Sequence, residues 1–349
     1  MNPTYSLTCT LLLLSAGFVQ AAPRYSVTDL GTLGGLECNA TALNNNGQIT
    51  GISDTSVKKP DTTYVMHVFL WQNGRIRSLG SLEGQNYAPS SLNDRGQVAG
   101  VYHDTARGAF RAFTFQNGKV HLLPALPHQG KGFSFSAARS LGLNGEVVGS
   151  SDNRACAWVG GRLLPLATPK GFGRSEAFGV NGRGPVVGTG DTRAGFRVQS
   201  HALLWQNGHV SDLGVLPGFR ESTARAINAQ GQVVGWSSST QSGPHRFQFR
   251  YHAFVWQKGR MRDLGTVPRL ENSRAVALND RDEIVGTSNS KREQHAVLWR
   301  GGKAYDLNAL IPPGTGWILR DAVAINNRGW IVGNGKHKGI FKAFVLKPR

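Results

Sequence analysis

Read for alternation of apolar and polar positions, the chain breaks into short segments of period two separated by Gly, Asn and Pro. That is the pattern of half-buried strands joined by tight turns. YHAFVWQKGRMRDLG (Tyr251–Gly265) is one such hairpin, and SHALLWQNGHVSDLG (Ser200–Gly214), QHAVLWRGGKAYDL (Gln294–Leu307) and HVFLWQNGRIRSLG (His67–Gly80) repeat it. A second recurring segment, of type A-x-N-x-x-G-Q-V-V-G, ends at Gly51, Gly100, Gly149, Gly188, Gly235, Gly286 and Gly333. Those glycines are spaced by 49, 49, 39, 47, 51 and 47 residues, so the chain holds seven copies of a unit with a period near 47.

Each unit offers four strands: A before the Asn, B as the Val/Ile run after the turn, C ending in Trp, and D of the type MRDLG. No unit sustains a 3.6-residue apolar period. Four strands in roughly 45 residues is the spacing of a β-propeller blade. The ends of the chain fit the same reading, since YSVTDLGTLGG (Tyr25–Gly35) is a D strand without A, B or C, and AINNRGWIVG with KAFVLKPR is A, B and C without D. If the first strand completes the last blade, the ring closes and no half-built sheet edge is left. The expected fold is all-β: a seven-bladed β-propeller of four-stranded blades, closed by the N-terminal strand, forming one domain over residues 22–349.

The recurring H-A-F-L-W-x-N-G-x-M-x-D-L-G and A-x-A-I-N-x-x-G-Q-V-V-G resemble the HAF family of extracellular repeat proteins over nearly the whole chain. The resemblance implies export and a repeat fold, and it carries no settled activity. Two units depart from the pattern: the third reads RACAWVGGRLLPLA, and the sixth has Asp282 in place of the turn glycine.

Composition agrees with turn-rich β structure, with Gly at 45 of 349 residues and only 17% of residues charged. The net charge of +18 changes the functional picture more, because such an excess attracts polyanions. The first residues, MNPTYSLTCTLLLLSAGFVQAA, carry an apolar run from Leu11 to Val19 and small residues before Ala22, although no Lys or Arg precedes the run. Residues 1–21 are expected to be a signal peptide cleaved after Ala21, placing the protein in the periplasm or outside the cell. No segment has the length of a transmembrane span. Cys38 and Cys156 are distant and in unlike contexts, and are expected as buried free thiols.

The position opening the C strand holds His67, Arg111, Arg154, His201, His252, His295 and Lys342, all nitrogen donors. Arg and Lys are not ordinary metal ligands, so no metal ring is expected, and no cofactor motif is present. The partner position on the D strand reads Ser78, Leu122, Pro165, Asp212, Asp263, Asp306 and, by closure, Asp29. Acids stand opposite three histidines and Lys342, which points to charge-assisted pairs that orient strands. Trp71, Trp158, Trp205, Trp256 and Trp299 follow four residues after the donor and are expected to pack blade against blade.

The A-to-B and C-to-D turns are short and alike, whereas B-to-C loops and D-to-A links vary. Strand direction puts the variable segments on one rim, which is therefore the expected contact face. Its basic patches are Arg246 with Arg250, Lys291 with Arg292, and Lys336 with Lys338. No catalytic residue is expected from local motifs, since G-x-S-x-G, H-E-x-x-H and phosphate-loop patterns do not occur. Three readings result: a monomeric exported module binding an acidic polysaccharide or other polyanion through the rim; a polysaccharide hydrolase or lyase with its site at the central channel; and a protein-interaction scaffold.

Overall fold

The computed structural model describes residues 24–349 except 62, 81–85, 105–107, 128–134, 195–196 and 243–246. The expected signal peptide lies outside the described residues. Seven antiparallel four-stranded sheets stand around an axis. Their inner A strands are Gly34–Leu43, Asn86–Leu92, Ser136–Leu141, Phe172–Val180, Glu221–Ile227, Asn272–Leu278 and Trp317–Ile325, in blades 1 to 7. Each A strand touches the next, and the seventh touches the first, so the ring is closed. In blade 7 the outer strand is Tyr25–Asp29, paired antiparallel with Ile340–Pro348 in the register Tyr25↔Pro348 to Asp29↔Phe344.

There is no single core. Seven clusters of buried side chains occupy the seven interfaces between blades. The period-two pattern explains this: Val233 faces blade 4 while Val234 faces blade 6, and Phe254 and Ala253 divide in the same way. A sheet buried on both faces must be apolar at consecutive positions, as the V-V and A-F pairs of the repeat are. The Trp position does what its spacing implies. Trp71, Trp158, Trp205 and Trp299 are buried, and Trp158, Trp205 and Trp299 donate Nε1–H to Pro124, Ala167 and Gly265 carbonyls in the link from the preceding blade.

The B-strand glycine that ends each motif copy has a steric role. A Cβ at Gly51, Gly149, Gly188, Gly235, Gly286 or Gly333 would collide with a carbonyl oxygen of the adjoining A strand. That A strand carries a β-bulge in every blade, as between Ala224 and Ala226, which brings its backbone close. Asp282, by contrast, occupies a turn position with φ 60, so the sixth unit keeps the left-handed turn without glycine.

At the A-to-B end the motif Asn ties each blade to the next. Asn44, Asn93, Asn181, Asn228, Asn279 and Asn326 donate side-chain N–H to the backbone carbonyls of Asn93, Gly142, Asn228, Asn279, Asn326 and Asn44 respectively. The girdle has one gap, in blade 3, where Gly142 stands at the Asn position and the Glu146 carboxylate fills the space a Cβ would need. One oxygen of Glu146 is buried without a partner among the described residues.

Among the described residues Cys38 and Cys156 are free and buried. Burial pushes the Cys38 thiol up to about 12 and the Cys156 thiol up to about 11, so neither is a thiolate at neutral pH.

Candidate functional site: the long-loop rim and the channel behind it

The repeated donors serve the scaffold. His201, His252 and His295 place Nδ1 2.7, 2.7 and 2.6 Å from Asp212, Asp263 and Asp306, joining the C strand to the D strand of one blade. The other carboxylate oxygen accepts from the backbone N–H of Gly214, Gly265 or Asn308 and closes the turn after the D strand. In blade 1 the neutral Ser78 takes both parts, 2.8 Å from His67 Nδ1 and accepting from Gly80 N–H. Blade 7 corrects the expected pairing. Asp29 meets His337 Nδ1 at 3.2 Å, not Lys342, because the end of the B strand, beyond the C strand, delivers an imidazole to the same place. Arg111 and Arg154 stand in blades whose D strands carry Leu122 and Pro165 where the acid stands elsewhere. Desolvation would raise the Asp263 carboxyl, but the bonds from His252 and the Gly265 N–H outweigh it and hold the group below its ordinary range.

Of the six nominated rim cations, Arg246 lies outside the described residues. The other five fall on consecutive blades. Arg250 is exposed at the start of the blade 5 C strand, Lys291 and Arg292 are exposed in the blade 6 B-to-C loop, and Lys336 and Lys338 border the blade 7 loop. They form an arc of adjoining loops. Exposed apolar side chains flank the B-to-C loops of five blades, Val57, Met66, Phe110, Val198, Phe249 and Phe341, of which Phe249, 71% exposed, and Phe341 lie on the arc. Cations lie over some rings of this rim, with Arg250 5.1 Å from the Phe219 centroid and Lys336 5.2 Å from that of Phe341. A water-facing surface that mixes large apolar groups with fixed cations suits a partner having both anionic groups and apolar faces.

Behind the rim the channel widens into a cavity of about 720 Å³ lined by the A strands. The bulge in each A strand re-aims one residue toward the axis, the x of A-x-A-I-N. Those residues are Thr41, Ser90, Arg139, Phe178, Arg225, Val276 and Val323. This position is not legible from the constant residues of the motif; its signal is a variable residue standing between two small ones in nearly every copy. It lies three residues from the Asn girdle, about 10 Å along the strand. One level toward the rim, Glu176 accepts from Arg139 Nε at 2.7 Å, and Asp321 accepts from the Asn334 backbone and side chain at 3.1 and 3.0 Å. Burial raises the Asp321 carboxyl above its ordinary value against the pull of those bonds and of Arg320.

Guanidinium and aromatic groups alternate from the channel outward. Arg225 lies 4.4 Å from the Phe178 centroid and 6.0 Å from that of Trp236, and Arg274 lies 5.2 Å from Trp236 and 4.0 Å from Tyr251. Tyr251 ends the row by donating its hydroxyl to Asn289 at 2.7 Å. Burial disfavours the charge on Arg225, Arg139 adds to that, and Glu176 opposes it. Among the described residues no group of three or more His, Cys, Asp or Glu is arranged to hold a metal ion, and no helix is long and apolar enough to cross a membrane.

No family model matches the chain, and no curated protein matches it in sequence. Solved structures match it in fold. The β-propeller domain of the trilobed protease from Pyrococcus furiosus, described as having an open velcro topology, superposes with a TM-score of 0.57 at 10% identity, covering 90% of this chain and 96% of that one. The Pyrococcus horikoshii acylaminoacyl peptidase gives 0.53 at 10% identity over 89% of this chain and 52% of its own. A puromycin-hydrolyzing peptidase from Mycobacterium tuberculosis gives 0.52 at 12% identity, covering 90% and 53%. The chain therefore spans about half the length of those two peptidases, and at such identities the likeness is one of fold. Unlike an open velcro, the ring here is closed by the pairing of its two terminal strands.

Proposed function

We propose that this protein is an exported, monomeric β-propeller that binds an anionic surface polymer, an acidic polysaccharide, through its long-loop rim. The observation that carries the reading is the arc of Arg250, Lys291, Arg292, Lys336 and Lys338 on three consecutive blades, set among exposed Phe249 and Phe341 on a chain of net charge +18. Export rests on the apolar leader, residues 1–21, and on the resemblance to the HAF family.

Binding dominated by such cations weakens steeply as salt rises, because each neutralised anion releases a counterion that added salt returns. Affinity for an acidic polysaccharide is therefore expected to fall linearly on a log–log plot against salt, with a smaller slope after Lys291→Ala with Arg292→Ala. Salt-independent retention, or an unchanged slope, would remove the rim reading. A mature protein that begins at Met1 would remove export.

Asp321 supports a second reading, a polysaccharide-cleaving site in the channel. A carboxyl raised by burial is a candidate general acid. Fragment release on incubation with acidic glycans, abolished by Asp321→Asn, would establish it, and retention without fragments would leave binding alone. Capture of a protein, with no affinity for any polyanion, would favour a scaffold instead.

A further inference from the structure

Seven channel-facing positions that share one backbone geometry do not share one chemistry, and the way they differ is ordered around the ring. Blades 3, 4 and 5 present Arg139, Phe178 and Arg225, whereas blades 6 and 7 present Val276 and Val323 across the same cavity. One wall is cationic, and the facing wall presents aliphatic side chains at this level with Asp321 one level nearer the rim. A half-buried guanidinium brings five N–H donors, and those turned away from solvent need acceptors. Arg225 has its plane set by Phe178 and Trp236, yet among the described residues it has no hydrogen-bond acceptor and no carboxylate at ion-pair distance. Stacking on a ring uses the flat face of the guanidinium and leaves its edges, which are the bidentate donors, directed elsewhere. Arg139 spends only Nε on Glu176, so its terminal nitrogens remain. Arg139 and Arg225 line one cavity and disfavour each other's charge, and Glu176, bonded to Arg139, offsets that only in part.

We propose that the channel holds a binding site for a carboxylate borne on a saccharide ring, with Arg139 and Arg225 as its clamp; this rests on, and deepens, the acidic-polysaccharide reading of the rim. A planar carboxylate matches the edges of two guanidinium groups. The saccharide ring accounts for the rest of the wall, since Val276, Val323 and Ala324 offer an apolar surface to its C–H face while Asn39 and Ser140 offer polar atoms to its hydroxyls. At about 720 Å³ the cavity has room for a short oligosaccharide and none for a folded partner. The row Arg225, Trp236, Arg274, Tyr251 leads from this clamp to the rim, so a polymer lying on the rim can send one uronate residue inward.

The test is calorimetric titration of the purified protein with a tetragalacturonate, with its methyl ester and with inorganic phosphate. The free acid is expected to bind at least tenfold tighter than the ester, and Arg225→Gln to remove at least tenfold of that affinity with the thermal midpoint unchanged. Arg225→Lys keeps the charge without the fork and is expected to fall between. Equal binding of acid and ester, phosphate binding as tight as the acid, or no loss in Arg225→Gln would overturn the clamp. Retention on polymer lost in Lys291→Ala with Arg292→Ala but kept in Arg225→Gln, together with no tetragalacturonate binding, would leave the rim reading standing and the channel site refuted. If Arg225→Gln fails to fold, Arg139→Gln carries the same expectation from the other side of the clamp.

Discussion

The two ends of the channel are built from the same seven blades and have opposite characters. At the A-to-B end, loops of nearly equal length are linked by motif asparagine side chains that pass from six of the seven blades to the backbone of the next. At the B-to-C end the loops differ in length and carry exposed Phe249, Phe341, Lys291 and Arg292. Closure constrains the first end. A side chain that must reach a neighbour's carbonyl admits one residue type at one position, whereas a loop that meets only solvent admits many. Variation is therefore confined to the end where it costs little stability, and contact chemistry can accumulate there.

Breaking closure should have the largest effect. Deleting residues 24–30 removes the strand paired with Ile340–Pro348 and takes away Tyr25 and Leu30, which are 1% and 3% exposed. Two such side chains at about 2 kcal/mol each, with the lost ladder, amount to on the order of 5 kcal/mol. Chemical denaturation is expected to show that loss, and gel filtration to show association through the bared strand edge. A midpoint within error of the parent would mean that the seam is not what holds the ring.

The girdle comes next. Asn228→Ala strands the Asn279 carbonyl and the Gln232 side chain, to which Asn228 donates at 3.1 and 2.6 Å. The expected cost is about 1–3 kcal/mol. Blade 3 offers the reverse experiment: Gly142→Asn together with Glu146→Gln rebuilds the missing member and relieves a buried oxygen without a partner. That double substitution is expected to stabilise by about 1 kcal/mol, read as a higher denaturation midpoint. A destabilised double variant would show that blade 3 is packed around its gap.

Acid should separate the C-to-D pairs by blade. The Asp263 carboxyl is held below its unfolded-state value, so its contribution is complete above about pH 4 and is lost as pH falls through the folded-state value. Asp263→Asn is expected to flatten the loss of stability below about pH 4, by a small amount because the pair is partly exposed. Ser78→Ala in blade 1, whose bond to His67 involves no carboxylate, is expected to leave the acid limb unchanged. A matching change in both would assign the effect elsewhere. The smallest effect belongs to the rim: Lys291→Ala with Arg292→Ala should move stability by no more than about 0.5 kcal/mol, even where it weakens polymer binding.

Much of this was readable from the repeat. The period, the four strands, the closing N-terminal strand, the blade-to-blade tryptophans and the histidine–aspartate pairs all follow from local patterns written several times over. What escaped reading depended on neighbours distant in sequence. The B-strand glycine marks the period in the sequence, but its reason is a bulged A strand pressing from the side. Counting along one column matches Asp29 with Lys342, while the imidazole that reaches it comes from His337 at the end of the B strand, two strands away in the sheet. The channel arginines sit at the one variable position of a constant motif, and only the bulge turns that position inward.

By itself the sequence determined how many blades there are and how the ring ends, because strand periodicity and turn chemistry are properties of contiguous residues. Tertiary structure alone decided which side chains converge. Arg139 and Arg225 are separated by 86 residues and face one cavity. Their meeting depends on the angle at which closed sheets pack around an axis, and nothing in either local segment encodes it.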